Sequence, residues 1–150
     1  MDANAITQLE QELIVILKKE YSFYQSLYIL LDKQRDIIRY DTEENLLDLY
    51  AEVERCQHRI RESEKQITAV RDKAPQMFRV ASVHPEVKRL VNCIATLVKK
   101  NIKIVAENQE YAQDRHQRIR TELEELKNSH KILQYISEPE PSPQFVNGKE

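Results

Sequence analysis

The chain contains a single glycine, Gly148, so residues 1–147 have none. Glycine gives tight hairpins their φ > 0 turns and lets a backbone approach phosphate closely. Its absence excludes the Gly-rich Rossmann and Walker loops and disfavours strands joined by tight turns. Helices are what remain. Charged residues make up 32%, aromatics 7%, and tryptophan is missing, which is the balance of a coiled-coil-like protein rather than of a dense enzyme. A length of 150 residues fits one domain.

The apolar spacing divides the chain into three long helical patterns and a tail. The first, over residues 3–40, carries three adjacent columns at seven-residue intervals. They are Leu17, Tyr24, Leu31 and Ile38; Ile16, Phe23, Leu30 and Ile37; and Ile14, Tyr21 and Tyr28. Together they make a face wide enough to meet two neighbouring helices. The second pattern, 42–73, opens with Asp41 as a candidate cap and Glu44 at the capping-box position. Leu46, Leu49, Val53, Cys56, Ile60, Ser63, Ile67 and Val70 then alternate in steps of three and four, a narrow coiled-coil seam. Pro75 stops it. The short turn between the first two helices makes them antiparallel neighbours.

Residues 74–84 read as a connection with a short helical turn around Met77, Phe78, Arg79 and Val80. The third helix starts at Pro85, a tolerated first position, and meets no breaker before 136. Its front is broad through Val87, Leu90, Val91, Ile94, Leu97, Val98, Ile102, Ile104 and Val105. Beyond Tyr111 and Ala112 it thins to the column Ile119, Leu126 and Leu133, with Leu123 and Ile136 beside it. Another column, Ile94, Asn101, Asn108 and Arg115, puts polar groups at core-type positions, where seam asparagines control register. At 1.5 Å per residue the three helices measure about 57, 48 and 78 Å. The third should therefore pass the first turn near residue 120 and overhang by ~24 Å. Residues 137–150 hold three prolines and Gly148 and read as a disordered tail with one apolar pair, Phe145-Val146. The expected fold is all-α: three long antiparallel helices in a coiled-coil-like bundle over residues 1–136, the third longest and overhanging.

Chemistry-bearing patterns are lacking. Cys56 and Cys93 form neither a disulfide framework nor a metal spacing and read as small core residues. His58, His84, His116 and His130 fall in neither Glu-x-x-His nor His-Glu-x-x-His, so no catalytic residue, metal or cofactor is expected. With 23 Lys+Arg against 25 Asp+Glu the net charge is −2, which gives no electrostatic case for nucleic acid. The apolar run at residues 13–17 is far short of the ~20 residues of a membrane span. A cytoplasmic location is the expectation. The exposed column of the third helix is the candidate partner surface.

The run Leu30-Leu31-Asp32-Lys33-Gln34-Arg35-Asp36-Ile37-Ile38, the heptad-like stretch 46–65 and the Asn108-Gln109 step in a long last helix resemble the FlgN family of flagellar export chaperones. The tail segment Phe145-Val146-Asn147-Gly148-Lys149 fits the same plan. The resemblance covers most of the chain. It implies a cytoplasmic chaperone of type III flagellar secretion whose clients are the hook-associated proteins of the hook–filament junction. The overhang makes Ile119, Leu123, Leu126, Leu133 and Ile136 the candidate partner-binding residues, assisted by Phe145 and Val146. By the same resemblance, Tyr135 would touch the export gate. The alternative is a homodimeric coiled-coil structural or adaptor protein, in which the overhang pairs with its own copy.

Overall fold

The computed structural model describes residues 2–40 and 46–137 of the chain. Among them every regular element is helical: α1 (Ala3–Arg39), α2 (Leu46–Lys73), α3 (Pro75–Ala81) and α4 (Pro85–Ser137). The all-α expectation holds, and three of the helices lie where the spacing put them. The count of three becomes four, because the connection carries a full short helix. Pro75 explains both events: it cannot donate to α2, and its fixed φ suits the first position of α3. The expected cap at Asp41 and Glu44, and the tail from residue 138, lie outside the described residues.

Local chemistry sets the helix ends. Asp2 caps α1, its Oδ1 accepting from the Asn4 amide at 3.0 Å. At the start of α4 the His84 Nδ1 accepts from the Glu86 amide at 3.1 Å, so a histidine takes the capping position ahead of Pro85. The Arg89 guanidinium, one turn further on, holds the Glu86 carboxyl below its ordinary range.

The chain forms two compact units, Met1–Tyr111 and Ala112–Glu150. In the first, α1 is the central element. Cys56 Sγ donates to the Phe23 carbonyl at 3.1 Å, and Ser63 acts on Glu20, so α2 runs antiparallel to α1. Asn101 Nδ2 donates to the Tyr24 carbonyl at 3.4 Å and Asn108 Nδ2 to the Leu31 carbonyl at 3.2 Å. Both pairs are separated by 77 residues, so α1 and the first part of α4 run parallel with their heptads in phase. Arg39 lies over the Tyr111 ring at 5.5 Å and extends the same pairing.

The core has two parts. One joins Leu9, Leu13, Ile14 and Leu17 of α1 to Val87, Leu90 and Ile94 of α4, closed at the end by Ala81 and Phe78 of α3. The other joins Leu27 and Leu31 of α1 to Val53, Cys56 and Ile60 of α2 and Ile104 of α4. All three columns of α1 are buried or half-buried, and so is every member of the α2 seam. Burial also raises the Cys56 thiol pKa, which suits a packed, unreactive cysteine.

Between the two core regions sits one misfit. Glu20 of α1 and Ser63 of α2 are both buried, and neither Glu20 Oε1 nor Ser63 Oγ has a hydrogen-bond partner. Burial raises the Glu20 pKa, the Glu64 carboxylate raises it further, and Ser63 partly offsets both. Tyr24, one turn away, is pushed up to about 12 by burial and by the same two carboxylates. The native state therefore holds the Glu20 proton more tightly than the unfolded chain does. This contribution to stability is full below the ordinary carboxylate value of 4.5 and is lost as the pH rises through the raised native value. Glu20→Gln should accordingly stabilise the protein at neutral pH by about 1 kcal/mol, because the amide carries no charge into this buried site beside Glu64. Melting curves should show the advantage shrinking as the pH falls towards 4.5; a Gln variant no more stable than wild type at pH 7.5 would refute it.

Candidate partner-binding surface

The broad apolar front of α4 divides in two. Val87, Leu90, Ile94, Asn101, Ile104 and Asn108 turn into the core. Val91, Ile102 and Val105 remain exposed, at 48%, 63% and 37%. Two apolar clefts of about 460 and 360 Å³ open along this outward column. Each has α1 as its floor, with Leu13 and Leu17 in one and Leu27 and Leu31 in the other. Each is walled by α4 on one side and by α2 on the other, through Ile67 in the first and Gln57 in the second. The spacing revealed the apolar positions of α4. It did not show that one column packs into the core while its neighbour edges an open groove, because that depends on where α2 lies.

The inward column owes its polarity to register. Asn108 is buried and donates to the Leu31 carbonyl and to Gln34 Oε1 at 3.0 Å. Both bonds bind α4 to one turn of α1. A shift of one heptad would take Asn108 away from Gln34 Oε1, so this buried amide pair favours one alignment at some cost in stability. Arg35 adds a half-buried link, 3.8 Å from Glu107 and paired with Asp32 on its own helix.

In the second unit every described residue from His116 to Ser137 is exposed. Ile119, Leu123, Leu126 and Leu133 are 50%, 49%, 67% and 63% exposed. At 3.6 residues per turn these four share one face. Ile136, 72% exposed, stands at its edge. Tyr135, 88% exposed, points to the far side, two residues and more than half a turn beyond Leu133. The sequence-based group is thus a common face of four residues with Ile136 beside it, and Tyr135 is separate. Phe145 and Val146 lie outside the described residues. An apolar face of this kind on a highly charged helix is the usual signature of a surface that takes a partner.

Among the described residues no cluster of His, Cys, Asp and Glu could hold a metal ion. No helix there is long and apolar enough to cross a membrane. No protein-family profile, curated protein or solved structure matches the chain.

Two features escaped the sequence. The groove residues Val91, Ile102 and Val105 were read as one front with the core. Glu20 was not singled out, although it continues the three- and four-residue steps of Leu13, Leu17, Tyr24 and Leu27 and so had to face inward.

Proposed function

We propose that the chain is a cytoplasmic chaperone of flagellar type III secretion that binds hook-associated proteins before export. It holds them on the face made by Ile119, Leu123, Leu126 and Leu133. The observation that carries this reading is the exposure of those four large apolar residues on one face of α4. The resemblance of residues 30–38, 46–65 and 108–109 to the FlgN family supplies the class of client.

The physical requirement on such a chaperone is modest. Hook-associated clients present terminal segments that are disordered before assembly and helical after it. A segment of that kind folds on a helix that offers apolar anchors at i, i+4, i+7 and i+14, and its own apolar stripe is then shielded from self-association. Neither nucleotide nor metal takes part. The heptad columns of α1, α2 and the first part of α4 form a coiled-coil-like scaffold that leaves the distal helix for the client. Tyr135, on the opposite side, is available to the export gate while a client is held.

Calorimetry with purified hook-associated proteins of the source organism tests the proposal. Saturable one-to-one binding to one of them, with the negative heat-capacity change of apolar burial, is expected. Absence of binding to all of them would refute it.

A further inference from the structure

The α2–α4 groove and the distal face of α4 are two separate apolar surfaces, and they share one heptad column. Val91, Val98, Val105, Ala112, Ile119, Leu126 and Leu133 stand seven residues apart without interruption. The first three edge the groove, and the last three form the exposed distal face. The column is balanced about Ala112, its smallest member.

We infer that a second copy of this chain fills the groove: residues 112–137 of each copy lie between α2 and α4 of the other, in a closed antiparallel dimer. Stepping outward from Ala112 by heptads, Ile119 of one copy meets the level of Val105 of the other, Leu126 that of Val98, and Leu133 that of Val91. Ile102, 63% exposed, then faces Leu123, with Ile119 and Leu126 within one turn on either side. The two contacts are identical and form together, which is the self-complementary pattern of a two-fold interface. Ala112 lets the two helices approach closely where they cross. Gln109 and His116, the polar seam positions on either side of it, come to the same level and give each other a hydrogen-bond partner.

Other arrangements explain less. Pairing of two distal faces alone would leave the groove open. The reciprocal dimer covers both surfaces with residues that already have the matching phase and an equal length of column. It would also mask the distal face in the absence of any other partner.

The test uses the full chain with no client, so its outcome is independent of the proposed function. Light scattering on a sizing column should give twice the 17.8 kDa chain mass at tens of micromolar. Ile102→Glu and Leu126→Glu change exposed positions, 63% and 67%, and should each leave the helical signal intact. Each should raise the dimer dissociation constant about a hundredfold by burying a charge at both contacts. An equimolar mixture of Ile102→Lys and Leu126→Glu should recover dimer, because one of its two contacts is then unaltered and the other sets opposite charges within a helical turn of each other. A wild-type monomer at 100 μM would overturn the inference. So would a dimer that ignores Ile102→Glu, as expected for distal faces paired with each other, or a mixture that stays monomeric.

Discussion

Ile60→Asp should abolish the native fold or bring its melting transition close to room temperature. Ile60 is 6% exposed and packs with Val53 and Cys56 of α2 against Leu27 and Leu31 of α1 and Ile104 of α4. The aspartate would carry its charge at neutral pH into the site formed by these apolar side chains. Burying an unpaired carboxylate costs several kcal/mol, comparable with the ~5–15 kcal/mol that holds a typical domain together. Protonation would relieve part of the cost, so acidification towards pH 4 should restore helical signal before general acid denaturation begins. Far-UV circular dichroism across temperature and pH measures both effects. A melting curve within a few degrees of wild type would mean that α2 does not pack on α1 and α4 as described.

The second large effect belongs to the buried amides. Asn108→Asp removes both donors that reach the Leu31 carbonyl and Gln34 Oε1 and sets a carboxylate against two acceptors. The expected loss is about 2–4 kcal/mol, or a fall of roughly 10 °C in melting temperature. Asn108→Leu alone should cost less, although it leaves Gln34 without its partner. Changing Asn108 and Gln34 together to leucine should recover most of the stability, since two matched polar groups are replaced by apolar ones. Thermal melts of the three variants give the ordering. If Asn108→Asp were as stable as the double leucine variant, the amide would not be buried against α1.

These two cases show how far the sequence could be read. The steps of three and four in α2 mark Ile60 as a core position from spacing alone, because a narrow apolar seam has one way to be satisfied. The seven-residue recurrence of Asn101 and Asn108 likewise pointed to register. Their acceptors did not follow from sequence, since the Tyr24 and Leu31 carbonyls are backbone atoms common to any helix. The wide front of α4 was ambiguous for a different reason. Adjacent heptad columns on one helix are equivalent until a neighbour covers one of them, so Val91 and Val87 looked alike although one is open and the other buried. The short α3 was visible as a helical turn around Met77 and Phe78. Its extent depended on packing against the first core region, which brings together residues remote in sequence.

The exposed distal face was the most legible feature of the candidate surface. Thinning of the apolar pattern after Ala112 to one main column, with Leu123 and Ile136 beside it, is a change that local sequence reports directly. What the pattern could not say was which residues beyond the column act with it. Helix geometry separates Tyr135 from the other four and leaves Ile136 at the edge.

The central claim is that Ile119, Leu123, Leu126 and Leu133 bind the client, and the paired substitution Leu126→Ala with Leu133→Ala tests it most directly. Each truncation removes ~1–2 kcal/mol of apolar contact from the complex. Both residues are more than 60% exposed within a single chain, at 67% and 63%, so the fold of each chain loses little. Calorimetry against the hook-associated client should show affinity reduced by tenfold or more, with a melting temperature within a few degrees of wild type. Unchanged affinity in a folded double variant would contradict the account and move the binding surface elsewhere, first to the groove beside Val91, Ile102 and Val105.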